Sequence, residues 1–260
     1  MRLDYDIPLL RPYINWGYFY HAWQVRPADK QQQLRNEAEH FLDDIASRYQ
    51  AHTLFSIEQA HADGDDIVLD DRNGERIALL RQQTGSPCLC LSDFINPASD
   101  TLGLFATTVD RGMETDFSHD PYQKMMAQLL ADRLAEAAAE LMHLEVRRRY
   151  WGYAPDEELS MEELHLERFR GIRPAVGYPS LPDASLNFQL DRLLGFNQIG
   201  ITLTESGAMR PHASVSGLMI AHPQARYFSI GKIGSDQLTD YAHRRHQQPE
   251  VIRKFLTANL

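Results

Sequence analysis

The loop at residues 171–179, GIRPAVGYP, combines residue types that suit a small-molecule binding site. Pro174 and Pro179 fix the backbone φ angle and have no N–H donor, while Gly177 permits a left-handed turn between them. We therefore expect a stiff loop with free backbone carbonyls, which suit the amine and the flat face of an adenine ring. Arg173 could bind a carboxylate through two parallel hydrogen bonds. The alternative is a rigid turn in which Arg173 forms an ordinary ion pair.

A row of carboxylates on a predicted helix is the second candidate. Asp132, Glu136 and Glu140 follow one another at i, i+4 spacing, so they share a face and repel by a few tenths of a kcal/mol per pair. Arg133 is adjacent in sequence but points about a quarter turn away. A cationic ligand such as a sulfonium or an ammonium group would relieve the repulsion. So would Arg or Lys from another element, or plain solvent, and the residues alone leave these alternatives open.

Aromatic residues concentrate near the start of the chain, where the segment 11–23, RPYINWGYFYHAW, holds six of them in thirteen positions. Such a cluster predicts core packing more than a ligand cage. The sequence contains no HExxH, GxGxxG, GxxxxGK[ST] or GxSxG motif, which argues against a zinc, dinucleotide, nucleoside triphosphate or serine hydrolase site. We therefore predict a binding site without catalytic residues or a metal.

The elements that would position these residues follow from the sequence pattern. Five β-rich runs between residues 52 and 109 are separated by turn signals, of which Asn73-Gly74 is the strongest hairpin signal. After Pro121 no Gly or Pro occurs up to Tyr150, which predicts a long helix with Gly152 just beyond its end. An amphipathic helix is expected at 31–50, and a capping box at 160–163 predicts the start of a short helix.

The C-terminal third is predicted to contain a helix near 184–195, a strand near 199–204 and two short helices near 235–246 and 248–256. A hairpin is predicted to join 213–221 to 225–233 through a turn at His222-Pro223. Because the strand runs do not alternate with crossover helices, the fold class is α+β. We expect one domain over residues 1–260, with a twisted antiparallel sheet, one long helix and several short helices.

Composition narrows the class of protein. Apolar residues make up 43% of the chain and charged residues 24%, as in ordinary globular proteins. A formal net charge of −10 argues against nucleic acid as a partner. No apolar run is long enough to cross a bilayer, and the N-terminus does not resemble a signal peptide. Cys88 and Cys90 are predicted on one strand, pointing into one core layer, so a reduced, cytoplasmic protein is expected.

Several segments together resemble the activation domain of cobalamin-dependent methionine synthase. They keep the family's order and similar spacing from about residue 10 to the end, and only the region 51–100 is loosely similar. The segments are RPYINW at 11–16, LADRLAEA at 130–137, RRRYWGYAPDEELSMEEL at 147–164, GIRPAVGYP at 171–179, GITLTESGAM at 200–209, ASVSG at 213–217, HPQARYFSIGKI at 222–233, DQLTDYA at 236–242 and LTANL at 256–260.

The resemblance implies an α+β module that binds S-adenosylmethionine through an Arg-x-x-x-Gly-Tyr sequence. The implied ligand-binding residues are Asn15, Glu136, Arg173, Ala175, Gly177, Tyr178, Tyr227 and Phe228. Two of them depart from the family. Asn15 stands where the family commonly has Asp, so it brings a hydrogen-bond acceptor without a charge. Phe228 stands where Tyr is usual, so a hydroxyl is missing.

The resemblance also implies a role. The family's module supports the reductive remethylation of cob(II)alamin, with a methyl group from S-adenosylmethionine and an electron from a flavodoxin-like donor. No DxHxxG motif occurs here, and the homocysteine, folate and cobalamin modules do not fit in 260 residues. Cobalamin is therefore expected only through the cobalamin-binding module of methionine synthase. The chain would act in trans, or as a fragment with its N-terminal part trimmed, and as a component of this methyltransferase.

Two other functions remain open. The chain could be a non-catalytic module that senses S-adenosylmethionine while docked on another corrinoid methyltransferase. It could also be a free-standing methyltransferase, although the sequence shows no evident general base and no glycine-rich nucleotide loop.

Overall fold

A six-stranded antiparallel sheet runs through the molecule, whose computed structural model describes residues 1–260. Strands β4, β3, β2, β5 and β8 lie side by side in that order, and β1 pairs with the first part of β2. A separate two-stranded sheet is formed by β6 and β7. The strands are β1 Arg2–Asp6, β2 Gln50–Asp63, β3 Asp66–Leu69, β4 Glu75–Ala78, β5 Asp100–Val109, β6 Thr202–Leu203, β7 Met209–Arg210 and β8 Ser214–Met219.

Nine α-helices surround the sheet. They are α1 Ile7–Leu10, α2 Trp16–Ala22, α3 Ala28–Ile45, α4 Gly112–Thr115, α5 Pro121–Glu145, α6 Met161–His165, α7 Leu186–Leu194, α8 Ser235–Arg244 and α9 Pro249–Arg253. The predicted long helix is confirmed as α5, which continues into a π-helical turn at Val146–Tyr150. None of the helices is both long and apolar enough to span a membrane.

Helix α5 begins at a well-formed cap and lies directly on the sheet. The Asp120 carboxylate accepts hydrogen bonds from the backbone N–H groups of Tyr122 and Gln123, which satisfies two of the free donors at the helix start. Its inward face is rich in fully buried alanines, so the helix approaches the sheet closely. At that contact the hydroxyl of Thr107 on β5 donates to the Ala135 carbonyl at 3.1 Å. This packing fixes which face of α5 stays free.

The two faces of the sheet bury different residues because side chains alternate along a strand. Phe55, Phe105 and Met219 belong to a core with helices α3 and α5. The neighbouring Leu54, Leu104 and Leu218 belong to a second core with helix α7. A third, smaller core lies under α8 and α9. The predicted α+β arrangement, with a long helix and several short ones around an antiparallel sheet, is confirmed.

The hairpin predicted to join 213–221 to 225–233 is wrong in its second half. Strand β8 forms, but residues 225–233 contain no strand. The edge of β8 is occupied instead by the segment 172–176, where Ile172 and Ile220 exchange both backbone hydrogen bonds. With no partner strand left, the apolar residues Ile230 and Ile233 pack into the third core.

The two cysteines are free, as expected, but the strand predicted through them is wrong. Residues 88–90 do not form a strand, and only Cys90 is buried, while Cys88 is partly exposed. The Asp93 carboxylate accepts from the backbone N–H of Cys90 and pairs with Arg81, which turns the chain into a short 3-10 helix at Leu91–Phe94. The turn at Asn73-Gly74 is confirmed, since both residues have positive φ between β3 and β4.

Candidate ligand-binding site

A cavity of about 620 Å³ lies between helix α5, the loop 171–180 and the aromatic N-terminal segment. This volume suits a small organic ligand. Seven of the eight residues implied by the sequence line it, namely Asn15, Glu136, Arg173, Ala175, Tyr178, Tyr227 and Phe228. The eighth, Gly177, does not line the cavity but has φ +87°, a backbone angle that favours glycine. Its contribution is the shape of the turn.

The segment 172–176, here called the loop ribbon, lies along the outer edge of β8. The backbone N–H of Leu218 donates to the Pro174 carbonyl at 3.0 Å, and that of Val176 donates to the Ser216 carbonyl at 2.9 Å. A Cβ atom at Gly217 would overlap the Pro174 carbonyl oxygen and lie 2.9 Å from Ala175 Cα. Glycine at position 217 therefore allows the close approach that places the ribbon beside the cavity.

The prediction of free carbonyls in this loop is wrong for five residues, since the Ile172 carbonyl accepts from the Ile220 N–H and the Tyr178 carbonyl from the Leu181 N–H. Besides Pro174, the Ala175 carbonyl accepts from the Tyr178 N–H at 3.2 Å and the Pro179 carbonyl accepts from the Ile230 N–H at 2.9 Å. Two prolines remove donors, but the surrounding chain supplies others, so these acceptors are satisfied within the protein.

Arg173 forms an ion pair inside the cavity. Its guanidinium donates to a Glu140 carboxylate oxygen at 3.2 Å and to the Ala139 carbonyl at 3.1 Å, while its backbone N–H donates to the Tyr227 hydroxyl at 2.9 Å. Burial opposes the charge of Arg173, but the negative charges of Glu140 and Glu136 outweigh it, helped by Tyr227 once that hydroxyl ionises, and raise the pKa of the guanidinium. The side chain stays positively charged, with N–H groups left over.

The three carboxylates of α5 divide among different partners. Asp132 lies 3.5 Å from the His212 ring and does not line the cavity. Glu136 accepts from the Tyr178 hydroxyl at 3.3 Å, and its negative charge, together with burial, raises the pKa of Tyr178 to about 12. Glu140 is 8% exposed, and its second oxygen is buried with no hydrogen-bond donor. An unpaired buried acceptor is costly, and the positive charge of Arg173 on the other oxygen offsets part of that cost.

Several lining residues were missed by the sequence analysis. Tyr13 and Tyr18 line the cavity, although the N-terminal aromatics were expected in the core. That expectation holds for Phe19, which is fully buried, but Tyr18 is 63% exposed. Helical spacing could have separated the two, because adjacent residues on α2 point to different sides.

Glu167 was also missed, and no local sequence signal marks it. It follows helix α6 in the left-handed conformation, with φ +55°, and it lines the cavity. Loss of hydration raises the pKa of its carboxyl; nearby Arg173 opposes this, while Glu140 and Glu136 add to it. With Arg133, the cavity thus holds three carboxylates and two guanidiniums, which favours a ligand with a net positive charge.

A buried network supports α5 beneath the cavity. His143, one turn beyond Ala139, accepts a hydrogen bond at Nδ1 from Arg147 at 2.9 Å, and its Nε2 lies 3.2 Å from the Tyr153 hydroxyl. Burial, with the positive charges of Arg147 and Arg173, lowers the pKa of His143 well below its usual value. The imidazole is therefore neutral, and its role here is to hold the helix.

Comparison with known proteins assigns the chain to a protein family. Residues 6–246 match the family described as vitamin B12 dependent methionine synthase, activation domain. The chain belongs to this family. A crystal structure of the MetH reactivation domain bound to AdoHcy is similar over 100% of this chain and 90% of that chain, with 35% sequence identity and a TM-score of 0.94. The activation-domain fold implied by the sequence is thus confirmed.

Proposed function

We propose that this activation domain binds S-adenosylmethionine in the cavity beside α5. The charge of the cavity lining carries the proposal, because its carboxylates outnumber its guanidiniums and the ligand brings two positive groups, an ammonium and a sulfonium. The related MetH reactivation domain, bound to AdoHcy, adds support, since AdoHcy differs from S-adenosylmethionine only by the transferred methyl group and its charge.

The lining residues divide by chemistry. Arg173 has N–H groups beyond those donated to Ala139 and Glu140, and these suit the ligand's carboxylate. Asn15 and Glu136 offer oxygens to its ammonium group. Tyr227 and Phe228 present aromatic surface to a flat ring. Ala175 and Gly177 shape the loop that closes one side.

The proposed role is reactivation of methionine synthase. In the reaction that we propose, one electron from a flavodoxin-like donor would reduce cob(II)alamin on the cobalamin-binding module. The reduced cobalt would then take the methyl group from the sulfonium of S-adenosylmethionine, with AdoHcy as the leaving group. The residues of this chain bind and orient the methyl donor. The chain would act on that module in trans, or as part of a longer enzyme.

Calorimetric titration of S-adenosylmethionine and AdoHcy tests the binding site. Arg173→Ala should weaken S-adenosylmethionine binding by about 1.5–3 kcal/mol, as expected for charge-assisted hydrogen bonds. The matched control is Arg149→Ala, an exposed arginine outside the cavity, which should bind as the wild type does. Arg173→Lys keeps the charge opposite Glu140 and should also bind less tightly, because it loses the planar fork. Wild-type protein that gives no binding heat at millimolar ligand would refute the proposal.

A further inference from the structure

A second cavity, of about 500 Å³, lies at the opposite edge of the sheet from the S-adenosylmethionine site. Strand β4 and the helices α7, α8 and α9 contribute to its walls, whereas the first cavity adjoins β8. The two cavities share no lining residue. Nothing in the proposed reactivation function uses this second space, yet its volume lies in the range of small-molecule sites.

The cavity contains a guanidinium without an acidic partner. Arg245 donates only to neutral oxygens, the Ser185 hydroxyl at 3.0 Å and the Gln189 side chain at 3.5 Å. Its neighbour Arg244, in contrast, is paired with both Asp66 and Asp240. In a chain with a net charge of −10, a partly buried Arg245 with unused N–H groups favours an anion.

A second arginine and two aromatic rings complete the lining. Arg192 is 64% exposed, and it donates to a Glu75 carboxylate oxygen that also accepts from the Gln189 side-chain amide. Its other N–H groups could therefore bind an anion. The rings of Phe188 and Phe255 stand 6.5 Å apart and nearly perpendicular to each other. A flat ring that carries an anionic group would find both apolar surface and cations here.

The backbone at this cavity departs from the usual pattern. His246 follows helix α8 with φ +53°, a left-handed conformation in which glycine is the common residue, and it lines the cavity. Glu167 takes the same conformation after helix α6, with φ +55°, and lines the first cavity. Gln24 and Asn73 take the same conformation without lining either cavity, so the backbone sets the shape of the lining and the case for a ligand rests on charge.

We propose that this second cavity binds a phosphate-bearing anion. Arg245 and Arg192 would hold the phosphate, and Phe188 with Phe255 would contact a ring attached to it. Inorganic phosphate and a nucleoside monophosphate share the chemistry that the arginines recognise. S-adenosylmethionine carries no phosphate, so this ligand is distinct from the one proposed for the first cavity.

The site is tested by titrating the whole chain with inorganic phosphate, ribose 5-phosphate and UMP. Binding is monitored at low salt through the chemical shifts of the backbone amides in NMR spectra. At least one probe should bind saturably below 1 mM, and Arg245→Gln should weaken it at least tenfold. The control Arg253→Gln alters an exposed arginine of α9 outside the cavity and should leave binding unchanged. Titration of Arg245→Gln with AdoHcy, compared with the wild type, shows that the variant is folded.

The three probes also distinguish a nucleotide ligand from a ligand that is bound through its phosphate group alone. UMP that binds at least fivefold tighter than ribose 5-phosphate identifies a nucleotide ligand, and Phe255→Leu should then remove that advantage. Equal binding of all three identifies a site for the phosphate group alone. The proposal is overturned if no probe binds by 5 mM, if folded Arg245→Gln binds as the wild type does, or if Arg253→Gln weakens binding equally.

Discussion

At the scale of single residues, the structural role of Asn15 lies next to the binding role that we propose for it. Its side-chain oxygen caps helix α2 by accepting from the Gly17 N–H at 3.1 Å, and the residue also lines the first cavity. An aspartate would cap the helix at least as well, and its charge would favour both the helix dipole and a nearby ammonium group.

Asn15→Asp should therefore bind S-adenosylmethionine severalfold more tightly without loss of stability. A partly exposed charge pair contributes about 0.5–1 kcal/mol, and the gain should shrink as salt is raised. Calorimetry at two salt concentrations measures both effects. Removing the ligand's amino group should cost the variant more than the wild type. Unchanged affinity would mean that the ammonium lies elsewhere, or that Glu136 already satisfies it.

Glu167 gives a pH-dependent prediction. Because its pKa is raised in the folded protein, the proton is held more tightly there than in the unfolded chain. Stability is therefore lost as the pH rises from the ordinary glutamate value through the raised one, and the loss persists at neutral pH. Because Glu167 is exposed, solvent screens the effect: Glu167→Gln should melt slightly higher than the wild type at pH 7.5, and this advantage should disappear near pH 4.

The same variant should bind S-adenosylmethionine more weakly, since it removes one carboxylate from the cavity. Glu162→Gln, on the exposed side of α6, is the matched control and should show neither effect. Thermal melts that are parallel across the pH range for Glu167→Gln and the wild type would contradict the assignment.

At the scale of elements, the contact between the loop ribbon and β8 positions the binding site. Gly217→Ala would force the ribbon away from the strand, since a Cβ atom there overlaps the Pro174 carbonyl. We expect a loss of about 1–3 kcal/mol in unfolding free energy, the usual cost of overpacking, and a marked loss of S-adenosylmethionine affinity. Urea unfolding and calorimetry measure the two.

Gly64→Ala serves as the control for that variant. Unlike Gly217, Gly64 has positive φ, and it lies in the exposed turn between β2 and β3 with open space around the added Cβ. It should lose stability by about 1–2 kcal/mol and keep its ligand affinity. A Gly217→Ala protein that binds as tightly as Gly64→Ala does would show that the ribbon can shift without disturbing the cavity.

The sequence predicted elements well where local signals suffice. Helix α5 was identified by the absence of Gly and Pro after Pro121, and α6 by the capping box that begins at Ser160. The partner of β8 could not be predicted in this way. Its edge pairs with Ile172 and Val176, which precede their partners by 48 and 40 residues, and no turn signal joins them. The residues of the binding site came mostly from the family resemblance, whereas Tyr18 and Glu167 needed the three-dimensional fold.

At the scale of the whole molecule, the cavity sizes bear on the cofactor. The two cavities discussed here are of small-molecule size, and the chain carries no DxHxxG sequence. We expect purified protein mixed with hydroxocobalamin to emerge colourless from gel filtration. A methionine synthase core added to the mixture should retain the corrinoid colour. A stoichiometric corrinoid spectrum on the isolated chain would contradict this expectation.

The position of β8 at the sheet border has a consequence for solubility. An uncovered edge strand offers unpaired N–H and C=O groups, and a strand of another chain can form hydrogen bonds with them. This pairing is a common route to aggregation. Here the loop ribbon covers that border through its bonds to Ser216, Leu218 and Ile220. The same ribbon carries Arg173 and Ala175 into the cavity. If S-adenosylmethionine binds as proposed, it would contact the same ribbon, so we expect the ligand to lower the tendency of the protein to associate chain to chain.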